Sequence, residues 1–215
     1  MWKISCVTRH VRSDRALIHQ EDAMKTNAGL VLLLCLLGAC VTATAKHVGD
    51  VEIPDTLLLA GSGQELLLNG AGIRRKFFMD IYVGALYLPA RSTDSRAILA
   101  DSGAASVLMH FVYKEVEKDK IVDGWTDGLR DNVSPAEFQA LSGRLEQFNA
   151  LFRTVHRGDT LHIDYHPASG TAVRINEEWR GAVRGNDFFR ALLRIWLGEH
   201  PVSAALKDEM LGVQD

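Results

Sequence analysis

Leu68-Asn69-Gly70-Ala71-Gly72-Ile73-Arg74-Arg75-Lys76-Phe77-Phe78-Met79-Asp80-Ile81-Tyr82-Val83-Gly84-Ala85-Leu86-Tyr87-Leu88 is the stretch on which the fold turns. Its second half, Phe77 to Leu88, is a long run of aromatic and β-branched residues that ends at Pro89, whose missing N–H terminates strand pairing. Its first half continues the β-favouring run Glu65 to Asn69 into Gly70-Ala71-Gly72, where absent side chains mark a close approach of another element. The basic triplet Arg74-Arg75-Lys76 reads as a hairpin tip, with Arg75-Lys76 as its two-residue turn. In that register Arg74 faces Phe77, and Tyr82 lies further along by roughly 17 Å at strand rise.

Working outward, Val51 to Leu59 is a further strand, set off by the turn Gly61-Ser62-Gly63. On the other side, Ser92-Thr93-Asp94 caps a short helix through Ala100, and Ala105 to Tyr113 is a strand. Lys118 to Leu129 places Ile121, Val122, Trp125 and Leu129 at helical spacing. Ser134-Pro135-Ala136-Glu137 is a capping box that opens a second helix running to about Arg153. A hairpin of Thr160 to His166 and Thr171 to Asn176 follows, then helices over Asp187 to Leu197 and Val202 to Leu211. This order predicts the α+β class, an antiparallel sheet with helices packed on one side.

The amino terminus reads as targeting sequence. Met24-Lys25, the apolar run Ala28 to Leu37 and Ala43-Thr44-Ala45 form a signal peptide over residues 24–45, which makes 46–215 the mature domain and the periplasm its destination. Residues 1–23, with Arg9, Arg12 and Arg15, do not belong to such a signal and read as an over-extended start. Leu37-Gly38-Ala39-Cys40 offers the alternative of a lipoprotein anchored through Cys40. The apolar run is too short to span a bilayer, so no transmembrane segment is expected.

Composition excludes several classes. The first 45 residues hold five Lys/Arg and three Asp/Glu, so residues 46–215 carry 19 basic and 24 acidic side chains, a poor footprint for nucleic acid. All three cysteines (Cys6, Cys35, Cys40) precede the domain, which therefore has neither an internal disulfide nor a thiol nucleophile. No Gly-x-Ser-x-Gly elbow, phosphate loop or Cys-x-x-Cys is present. His162, Asp164 and His166 share one face of a strand, but the apolar Leu161, Ile163 and Tyr165 opposite make that face most simply the solvated one, so no metal is expected there. Trp125, Trp179 and Trp196 read as core or pocket-wall residues. Arg74 beside the phenols of Tyr82 and Tyr87 suits a carboxylate or an enolate.

Several stretches together resemble the chalcone isomerase family. They are Leu68 to Arg74, Ile81 to Leu88, the turn at Gly158-Asp159, Phe188 to Leu193 leading into Trp196-Leu197-Gly198, and Pro201-Val202-Ser203 with Leu206-Lys207. The subgroup they are most similar to is the bacterial exported chalcone isomerase-like proteins. The resemblance implies an open-faced β-sandwich, a large antiparallel sheet with helices layered on one side, and no cofactor.

In true isomerases an arginine and a threonine on neighbouring strands act with a tyrosine and an asparagine on a helix. Arg74 is similar to that arginine, but Tyr82 stands at the threonine position, and Lys118 and Trp125 stand where the tyrosine and asparagine belong, so three of the four catalytic positions are changed. In the fatty-acid-binding branch an arginine and a tyrosine hold the ligand carboxylate, and Arg74 with Tyr82 resembles that pair, at a shorter spacing. The expectation is a binder of a small apolar acid such as a fatty acid. The alternatives are an isomerase or intramolecular lyase acting on an enolisable substrate, and an envelope partner-binding protein with a vestigial pocket.

Overall fold

The computed structural model describes residues 45–213. The extended start, Cys40 and all of the signal peptide but Ala45 lie outside the described residues.

A seven-stranded antiparallel sheet forms the centre. Its members are β3 (Thr56–Leu58), β4 (Glu65–Lys76), β5 (Met79–Leu88), β6 (Ala105–Phe111), β9 (Thr160–His166), β10 (Gly170–Ile175) and β11 (Glu178–Val183), in the spatial order β11-β10-β9-β6-β5-β4-β3. Two small ribbons flank it: β1 (Ala45–Val48) with β2 (Val51–Pro54), and β7 (Glu115–Val116) with β8 (Val155–His156). The helices are α1 (Ser95–Ala100), α2 (Lys118–Asn132), α3 (Pro135–Asn149), α4 (Asn186–Leu197) and α5 (Ala204–Met210). Class and layering are those the sequence predicts.

Alternation along the strands separates two cores. Tyr82, Leu86, Val107, Met109, Phe111, Leu161 and Ile163 face the helices. Val83, Ala85, Tyr87 and Leu108 face the other way, toward Val51 and Ile53 of the β1–β2 ribbon. Helix α4 carries most of the helix-side burial, with Phe188, Phe189, Leu192, Leu193 and Trp196 all inside.

Several predicted boundaries shift. The run Val51 to Leu59 divides at Asp55, where the chain passes from the small ribbon to the large sheet. The strand from Glu65 continues to Lys76, because a register shift between Leu68 and Gly70 absorbs the irregularity at Asn69. Strand β11 escapes the sequence reading, and Trp179 on it is exposed, not part of a core or pocket wall.

The face bearing His162 and Asp164 differs from expectation, being buried and ionic where a solvated face is predicted. Asp164 accepts from Ser106 Oγ at 2.6 Å and from Arg174 Nε at 3.0 Å, and Arg174 also pairs with Glu177. The His162 ring lies 3.3 Å from Glu177. Held at both ends, the Arg174 side chain lies along the sheet, so these polar groups cover one another. Among the described residues no group of side chains is arranged to hold a metal ion.

Candidate functional site

The β4–β5 hairpin sets the site. Its turn is Phe77-Phe78, with Lys76 opposite Met79 and Arg75 opposite Asp80, and not the Arg75-Lys76 turn that the sequence suggests. Phe77 takes φ 56°, and a register shift between Arg74 and Arg75 brings Arg74 directly opposite Tyr82. The separation of roughly 17 Å is thereby corrected to a cross-strand pair, whose side chains share the helix-facing side of the sheet.

The glycines of β4 make that geometry possible. A Cβ on Gly70 would meet the Glu209 carbonyl oxygen at 2.2 Å, so α5 can lie against the strand only if that side chain is absent. Gly72 makes room for the Glu209 carboxylate, which accepts from the Ile73 N–H at 3.0 Å. Residue Gly84, opposite Gly72, lies under Leu206 of the same helix.

Tyr82 is 7% exposed, and its phenol oxygen accepts a hydrogen bond from Trp196 Nε1 at 3.1 Å. Among the described residues no acceptor for the phenol's own proton lies within hydrogen-bonding distance. Burial pushes its pKa up to about 12, against the smaller lowering effects of the Trp196 bond and the Arg74 charge. The phenol therefore stays protonated around neutrality, and with one lone pair engaged it has an O–H to give. Arg74 is half-buried, and its guanidinium donates to the Arg75 carbonyl.

A cavity of about 130 Å³ adjoins Tyr82 between sheet and helices, walled by Met109, Phe111, Ile121, Trp125 and Ile195 among others. Trp125 packs against Trp196, Phe148 and Phe152 at centroid distances of 5.4 to 5.7 Å, and its buried indole N–H has no acceptor among the described residues. Lys118 is exposed at the start of α2, and Lys120 borders the cavity instead. A larger hollow lies elsewhere among the described residues: a cleft of about 690 Å³ at the helix ends, with a mixed lining in which Arg194 and Glu137 already pair at 3.0 Å.

Residues 45–212 match the sequence pattern described as chalcone isomerase-like. The chain belongs to that family. Among solved structures, this chalcone isomerase-like chain is similar to an Arabidopsis thaliana fatty-acid binding protein, with 14% identity, a TM-score of 0.55, and 73% of this chain and 95% of that one covered. No curated protein matches it in sequence. At that identity the likeness establishes shared architecture. The Trp196–Tyr82 bond escaped the sequence reading, because its partners lie 114 positions apart on elements whose contact no local pattern encodes.

Proposed function

We propose that this chalcone isomerase-like domain binds a small apolar carboxylate at Tyr82, with Arg74 supplying the compensating cation. The observation that carries the reading is the buried, neutral phenol at an apolar cavity, with a spare proton and an arginine directly across the strand pair. A carboxylate oxygen would accept from Tyr82, a second donor is available in the Trp125 indole, and the apolar walls would take the tail. That the structurally similar Arabidopsis protein is a fatty-acid binding protein supports the same chemistry. Size narrows it further. A volume of 130 Å³ corresponds to about four waters, which fits a short chain or the carboxyl end of a longer one whose tail leaves through the open mouth. With its pKa pushed up to about 12, Tyr82 is a donor at neutral pH and a poor general base.

Calorimetric titration of straight-chain alkanoates of increasing length tests this. Saturable binding is expected, weakened at least about tenfold by Tyr82→Phe and by Arg74→Ala, since each removes a charge-assisted contact. Affinities unchanged by both substitutions would exclude this site. We further propose that residues 24–45 act as a leader that takes the domain to the periplasm, a reading supported by the Met24-Lys25, Ala28 to Leu37 and Ala43-Thr44-Ala45 pattern. Intact mass of periplasmic protein should give a chain beginning at Lys46, whereas an acylated chain beginning at Cys40 would make it a lipoprotein.

A further inference from the structure

The β4–β5 turn is the least expected surface of the domain. Phe78 is fully exposed, Phe77 is 82% exposed, and Met79 beside them is exposed as well. Phe77 also sits at φ 56°, in the left-handed region where a bulky side chain is disfavoured and glycine is the least strained choice. Two aromatic rings in water, one of them on a strained backbone, contribute nothing to folding. Arg74, Arg75 and Lys76 precede them, and even with Asp80 pairing Arg75 at 2.9 Å the turn keeps a net positive charge in a chain whose formal charge is −3.

The register of the sheet adds a third exposed aromatic at the same end. Tyr82 pairs with Phe111, His110 with Thr160, and Leu161 with Ile175, so the β10–β11 turn points the same way as the β4–β5 turn. Trp179, just beyond that turn, is 58% exposed, between Glu178 and Arg180, which pair with each other at 2.8 Å. Exposed Phe at a basic tip, with an exposed Trp on the same end of the sheet, is the composition that partitions into a lipid–water interface: rings in the acyl boundary, cations at the headgroups.

We propose that the Phe77-Phe78 tip inserts into bilayers carrying anionic headgroups, with the exposed Arg75 and Lys76 at the phosphate level and Trp179 as a second interfacial contact. The charge complementarity selects an anionic lipid surface as the occupant, because each basic side chain near such a surface adds to its attraction. This inference does not depend on what the Tyr82 cavity holds.

The test reads the tip itself, in the full chain, so that membrane affinity of the amino-terminal apolar run cannot imitate the result. Phe78→Trp is compared with the parent for quenching of the added emission by brominated phosphatidylcholine, in vesicles with and without phosphatidylglycerol. The added emission should be quenched strongly in the phosphatidylglycerol vesicles, and several-fold less once Arg75→Gln and Lys76→Gln are introduced. Emission that iodide still quenches and brominated lipid does not would place the tip in water and overturn the proposal, as would failure of the chain to bind the vesicles. Equal quenching in the neutralised variant would overturn the role assigned to the charges.

Discussion

The Asp164 pair and the Tyr82 cavity, on opposite faces of the central sheet, treat their polar groups in opposite ways. On the ribbon-bearing face, Asp164 is tied to Ser106 and Arg174, linking β9 to β6 and β10, and the carboxylate's two oxygens are both engaged. On the helix face, Tyr82 and Trp125 are buried among apolar side chains with a donor each to spare. Unused hydrogen-bonding capacity is costly to bury unless something takes it up. The engaged Asp164 pair is therefore read as structural, although His162 Nδ1 beside it has no partner among the described residues, and the spare donors at the apolar Tyr82 cavity are read as the binding site.

Breaking the ionic face should give the larger effect. Asp164→Leu strands the Arg174 guanidinium against the sheet, where its remaining partner is Glu177. Loss of one member of a buried pair costs about 3–5 kcal/mol, and because Glu177 persists the lower end is expected. Equilibrium urea unfolding measures it. Asp164→Leu combined with Arg174→Met should recover most of the loss, since replacing both partners leaves no uncompensated charge. A single variant as stable as the parent would show that the pair contributes nothing, and the contrast between the faces would fail with it.

Sequence patterning revealed the layers and missed the register. Alternation and helical spacing are local, so the sheet, the Ser134 N-cap and the glycine-lined approach on β4 could all be read from it, whereas the Glu137 carboxylate turns to Arg194 and does not complete a capping box. The hairpin turn could not, because a phenylalanine at positive φ violates the local rule that places such turns at Gly or Asn. That one violation misplaced Tyr82 relative to Arg74. The fate of His162 and Asp164 was hidden for a related reason. Alternation tells which residues share a face, and only the crossing of Arg174 from the neighbouring strand decides whether that face is wet.

On the helix face the sharper probe is pH. An ordinary phenol titrates near 10, whereas burial holds Tyr82 up to about 12, so the folded state keeps a proton that the unfolded chain releases. Stability from this group is intact below pH 10 and is lost as pH rises from 10 toward 12, by about 2–3 kcal/mol over that window. Tyr87, whose pKa burial also raises, adds to the same decline, so the parent should unfold steeply in alkali. Tyr82→Phe isolates the share of the candidate site. The variant should start lower at neutral pH, because Trp196 Nε1 loses its acceptor at a cost of about 1–3 kcal/mol. It should then fall less between pH 10 and 12, so that the two unfolding curves converge. Parallel curves would mean that the Tyr82 phenol is solvated in the folded protein. A solvated phenol would not be the dehydrated donor at an apolar cavity that the binding proposal requires.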